Sequence, residues 1–163
     1  MNFLKAPPIT IQAFAPFGWL IDAADCAGEA INGGTSQRID GLTDLNFDAE
    51  GGRPCLAIFK AVARDPAGPW KHMERHRLGT QTFVPLNGVR YMVLVALGDL
   101  TPDVTTLRAF TVSGHQSVTL RAGTWHHGLL ALEPGAFVVL ERSSGSIDCE
   151  LAQLTVPVSI TLT

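Results

Sequence analysis

A chain of 163 residues, 46% of them hydrophobic and 17% charged, has the apolar content to build a core, which excludes disorder and fits one domain over residues 1–163. The net charge of -3, without a long basic run, argues against a nucleic-acid partner. No apolar run reaches the roughly 18 residues of a membrane span, and "MNFLKAPPITIQAF" at the start has no signal-length apolar run, so no membrane association and a cytoplasmic location are expected.

In chain order, "TIQAFAPFGW" (10–19) predicts a short N-terminal helix capped by Thr10 and stopped at Pro16. From residue 30 onward the texture is β. The segments 55–63, 80–86, 90–97, 109–113, 116–121, 136–142 and 156–163 read as strands, with turn residues such as Asn87–Gly88 and Pro134–Gly135 between them. Short strands at this spacing predict an all-β sandwich or barrel. "RYMVLVAL" (90–97) is apolar on both faces and belongs in mid-sheet. The polar start of 99–109 suggests a short helical turn before Arg108. Cys26, Cys55 and Cys149 are odd in number and far apart, which predicts reduced, mostly buried thiols and not a disulfide framework.

Two stretches concentrate titratable groups: "HMERHRLGTQTFVPLNG" (72–88) and "TWHHG" (124–128). If 72–76 is a strand, His72, Glu74 and His76 share one face while Met73 and Arg75 take the other. His72 reads as an ordinary surface residue. His127 should face away from His126 and act as a structural histidine. A carboxylate, imidazoles and an amide converging in a barrel mouth can bind a metal or run acid–base chemistry on a small polar substrate.

The spacing from Gly68 to Gly88 resembles the first cupin signature, with Glu74-x-His76 in its His-x-His place, Gln81 in its glutamate place and Gly88 closing it. "RAGTWH" (121–126) resembles the second, with Arg121 for its proline and His126 in the ligand position; the asparagine that usually follows is replaced by Leu130. The resemblance implies a cupin-like double-stranded β-helix barrel. Its ligand set here is Glu74, His76, Gln81 and His126, suited to a weakly held divalent ion of the nickel or manganese type, or to none.

Longer strings are more specific. "ERHRLGTQTFVPL" (74–86), "VALGDLTPDVTTLRAF" (95–110), "WHH" (125–127), "INGGTSQR" (31–38) and "ERSSGSIDC" (141–149) resemble the ureidoglycolate lyase family. That family splits ureidoglycolate into glyoxylate and urea, a late step of allantoin breakdown in purine catabolism, and usually forms homodimers. Arg77 and Gly128 stand where the family usually has proline. The chemistry the resemblance implies needs a base for the hydroxyl proton, an acid for the departing nitrogen and a cation for the carboxylate. Glu74 or His76 can be the base and His126 the acid. Arg38, Arg75, Arg108 and Arg142 are candidates for the carboxylate, and Asn32 and Gln81 for the urea end. A ureidoglycolate amidohydrolase releasing ammonia, and a non-catalytic small-molecule-binding cupin, are the competing readings. Strands such as 156–163, which lack edge charges, predict dimerisation through a sheet edge or an apolar sheet face.

Overall fold

The computed structural model describes residues 1–163 as a nearly closed, all-β barrel built from two main sheets. The strands are β1 (Asn2–Ala6), β2 (Gly18–Ile21), β3 (Glu29–Ile31), β4 (Ser36–Arg38), β5 (Arg53–Ala61), β6 (Trp70–His76), β7 (Gln81–Pro85), β8 (Tyr91–Ala96), β9 (Arg108–Val112), β10 (Ser117–Leu120), β11 (Trp125–His126), β12 (Leu130–Ala131), β13 (Gly135–Ser143) and β14 (Cys149–Leu162). One sheet runs β1-β14-β6-β11-β8-β12 with β9 also on β8; the other runs β2-β10-β7-β13-β5; β3 and β4 form a separate hairpin. No helix is long and apolar enough to cross a membrane.

The predicted N-terminal helix reduces to a single turn, α1 (Ile11–Phe14), whose first exposed amides are capped by Thr10 accepting from the Ala13 N–H. The polar segment after β8 holds a 3-10 turn, Val104–Thr106, capped in the same way by Asp103. β1 and β2 fall in the region read as non-β. β1 has only five residues and is held in place by parallel pairing with the distant β14.

β8 is buried at all six positions because it has apolar packing on both faces. Tyr91, Val93 and Val95 join one core, together with Phe110 from the neighbouring β9, and Phe14, Phe83, Val118, Phe137 and Val139 from α1 and the opposing sheet. Met92, Leu94 and Ala96 join a second core with Trp70, Met73, Trp125, Leu154 and Ile160. Asn87 (φ 58°) and Gly88 (φ 75°) both take left-handed backbone conformations. The chain thereby turns from β7 in one sheet to β8 in the other.

Two expectations are corrected here. Residues 158–162 of β14 are not a bare edge, because β1 pairs with them throughout. The thiols are free as expected, but Cys26 is exposed and Cys55 and Cys149 are only half-buried.

Candidate active site

β6 alternates as the sequence predicts. Met73 and Arg75 are buried on one face, while Glu74 and His76 lie on the other. Antiparallel pairing with β11 places His126 directly opposite Glu74. On the other side of β6, β14 places Cys149 opposite His76. Three side chains from two strands therefore share one face beyond the apolar barrel core. The ligand atoms of Glu74, His76 and His126 lie within 4.8 Å of one another.

The geometry orders the protons. His126 is 2% exposed, and its Nδ1 lies 3.0 Å from the Thr124 carbonyl, so that nitrogen carries a proton and donates. Its Nε2 then faces inward, 3.4 Å from Oε1 of Glu74, a charge contact and not an aligned hydrogen bond. The other oxygen of Glu74 accepts from the Cys149 thiol at 3.9 Å. Glu74 is thus occupied at both oxygens. His76 is not: its Nε2 is buried with no hydrogen-bond partner.

The electrostatics agree. The His126 ring beside Glu74 holds that carboxyl below its ordinary value, against burial, which raises it. Burial pushes His76 below its ordinary value, and the neighbouring His126 adds to this. His76 therefore stays neutral at neutral pH, with its buried Nε2 free of any hydrogen-bond partner. Burial also raises the Cys149 thiol, followed by the charge of Glu74, so it remains a thiol.

The facing sheet supplies a second pair. Gln81 at the start of β7 is 4% exposed, and its Nε2 donates to Oε2 of Glu141 at 2.8 Å. The charge of Glu141 reaches His76 across the barrel. Sequence reading missed Glu141. The signal was present in strand alternation: Phe137 and Val139 are fully buried on β13, and Glu141 continues their face.

The predicted arginines fare unequally. Arg75 is buried on the face opposite Glu74. It lies over the Trp125 ring at 4.6 Å and hydrogen-bonds Glu150 and the Gly98 carbonyl. Arg142 sits on the opposite face of β13 from Glu141 and is spent on the Ala49 carbonyl and Ser144. Arg38 is exposed and paired with Asp40, and Asn32 occupies the exposed turn of the β3–β4 hairpin, which pairs with neither main sheet. Alternation sets Arg75 and Arg142 on the faces opposite Glu74 and Glu141, and Arg38 and Asn32 belong to the separate hairpin. Arg108 differs. It is in register with Val95, which is in register with His126, so it shares their face. Its guanidinium contacts only the Thr105 and Leu107 carbonyls, so no carboxylate neutralises it.

His72 is exposed and hydrogen-bonds Gln153, and His127 stacks edge-on against Trp70 at 4.9 Å. The backbone N–H of Arg77 donates to Asp148 at 3.0 Å, a bond no proline could make there. A Cβ at Gly128 would sit 3.6 Å from Glu74 Oε1, so glycine leaves space beside the carboxylate.

Arg75 gives a direct check. Arg75→Ala removes a buried stem, a cation–π contact and the partner of Glu150. It should cost on the order of 2 kcal/mol and lower Tm by about 4–8 °C. Thermal unfolding measures this, and Michaelis–Menten parameters should hold near wild type at a temperature where the variant is folded.

A family model described as "Ureidoglycolate lyase" matches residues 1–161. The chain belongs to the ureidoglycolate lyase family. The ureidoglycolate lyase of Burkholderia mallei (strain NCTC 10229) is 40% identical over 165 aligned residues, covering 100% of this chain and 95% of that protein. Those of Pseudomonas aeruginosa (strain LESB58) and Azotobacter vinelandii are 36% and 35% identical, each covering 92% of this chain and 89% and 91% of the relative. The matched span, residues 1–161, includes β6 and β11, which carry Glu74, His76 and His126.

Proposed function

We propose that this protein is a carbon–nitrogen lyase that splits ureidoglycolate into glyoxylate and urea by acid–base elimination. The observation that carries the mechanism is the unpartnered Nε2 of His76 beside a Glu74 already engaged at both oxygens. Ureidoglycolate is a hemiaminal, so its reacting carbon already bears a hydroxyl and the ureido nitrogen. Neutral His76 takes the hydroxyl proton at Nε2. The oxygen electrons form the aldehyde, the carbon–nitrogen bond breaks, and the nitrogen takes a proton from Nε2 of His126 as urea leaves. Oε1 of Glu74 lies 3.4 Å from this Nε2 and offsets positive charge on the ring.

The donor set also fits a divalent ion. His126 spends Nδ1 on a backbone carbonyl and turns Nε2 inward beside His76 Nε2 and Glu74, the usual orientation of ligating histidines. Glu74, His76 and His126 would hold an ion of the nickel or manganese type, with Gln81 near by, and when bound it would supply Lewis acidity to the substrate oxygens.

Arg108 is the arginine we assign to the substrate carboxylate, since a guanidinium with no carboxylate partner on the His126 face offers a bidentate fork. Arg108→Ala should raise KM about tenfold to a hundredfold with a smaller fall in kcat. A KM unchanged in steady-state assays removes Arg108 from the site.

The same reading takes the barrel as a single cupin-like double-stranded β-helix domain of a cytoplasmic enzyme acting on a small molecule, with no nucleic-acid or membrane partner. It also takes the protein as a homodimer. What supports the dimer is the exposed apolar set on and just beyond the edge strand β5, Leu56, Ile58 and Val62, each more than half exposed. The expected mass in light scattering at micromolar concentration is twice that of the chain, and Ile58→Asp should halve it. Separate assays of urea, glyoxylate and ammonia released from ureidoglycolate test the function itself.

A further inference from the structure

We propose that Glu141, held in place by Gln81, is the recognition element for the terminal amino group of the ureido moiety. The assignment rests on the lyase reading and says which end of the substrate lies where.

Gln81 and Glu141 come from adjacent strands of the five-stranded sheet and face the Glu74–His76–His126 cluster on the other sheet. Their hydrogen bond fixes the amide orientation, because only the nitrogen of Gln81 can donate to a carboxylate. The amide oxygen is thereby left as the other group of Gln81, and it is buried with no partner. Burying such an acceptor unpaired is costly, about 1–3 kcal/mol. The pair therefore leaves two acceptors without a protein donor: the amide oxygen and the Glu141 oxygen not used by Gln81. A terminal –NH2 offers two N–H donors in one plane and matches this arrangement.

The charge makes the choice directional. A carboxylate approaching Glu141 meets like charge, whereas an amide N–H meets a charged acceptor. Ureidoglycolate has one end of each kind. Its amino end lies against Glu141 and its carboxylate lies toward Arg108, so the scissile carbon–nitrogen bond falls over the histidines. Glu141 is thus an orienting contact and a filter against substrates that lack a free terminal –NH2.

The test compares ureidoglycolate with an analogue dimethylated on the terminal nitrogen, using wild-type protein, Glu141→Gln and Glu141→Ala, with folding checked by Tm. Wild type should strongly prefer ureidoglycolate in kcat/KM. Glu141→Gln keeps shape and can still pair with Gln81, but loses the charge. It should lose about tenfold to a hundredfold in kcat/KM for ureidoglycolate, carried mainly by KM, while its preference over the dimethyl analogue shrinks by a similar factor. Equal losses on both substrates, with the preference intact, would mean a merely structural role and overturn the assignment. So would wild-type constants in both folded variants. Wild-type protein that turns over neither compound overturns the lyase reading, and the assignment with it.

Discussion

Replacing His126 by alanine is expected to lower kcat by about a hundredfold or more while the barrel stays folded. The imidazole is 2% exposed, anchored at Nδ1 by the Thr124 carbonyl, and aims Nε2 into the cluster. The neighbouring Cys149 thiol is a poorer donor for the departing nitrogen, being held up by burial and already donating to Glu74. Urea nitrogen leaves poorly as an anion, so loss of a positioned acid should cost the roughly 10²–10⁴-fold that general acid catalysis supplies. The strands around it are held by pairings that alanine preserves, Trp125 with Ala96 and residue 126 with Val95 and Glu74. Circular dichroism should therefore match wild type, with a modest fall in Tm. Stopped turnover with an intact fold is the expected pair of results; near-wild-type kcat removes His126 as the acid.

Glu74→Gln should also cost on the order of 10²–10⁴ in kcat, for a different reason. The variant keeps the shape beside His126 but removes the negative charge 3.4 Å from its Nε2. A pH profile separates this from simple damage. Burial lowers His76 and the charge of Glu74 partly opposes that, so removing the charge lowers His76 further. With His76 as the proposed base, activity is lost as pH falls through its pKa. The wild-type acid limb should therefore lie below the ordinary histidine value of 6.5, and in Glu74→Gln it should move to still lower pH. A limb that moves upward contradicts His76 as the base.

Much of the barrel was readable because its strands carry their own period. β8 is apolar on both faces and is buried on both. The split of β6 into a Glu74–His76 face and a Met73–Arg75 face also followed from alternation. That same alternation already set Arg75 apart from the histidines, yet its charge kept it among the carboxylate candidates. β1 was not readable, because its strand character comes from pairing with residues 158–162 at the other end of the chain. Glu141 was hidden differently. At a strand end beside Arg142 it looks like half of a surface pair, and only its phase relative to Phe137 and Val139 turns it inward. The contact of Cys149 with Glu74 needed the β6–β14 register, which joins residues about 75 apart and leaves no local mark.

The measurement that bears most directly on the elimination is product stoichiometry. Purified protein is incubated with ureidoglycolate, and urea, glyoxylate and ammonia are assayed separately as the substrate disappears. Elimination gives one urea and one glyoxylate for each substrate consumed, and no ammonia. Ammonia rising in step with glyoxylate, without urea, would mean that the ureido carbonyl is hydrolysed and would contradict the lyase mechanism.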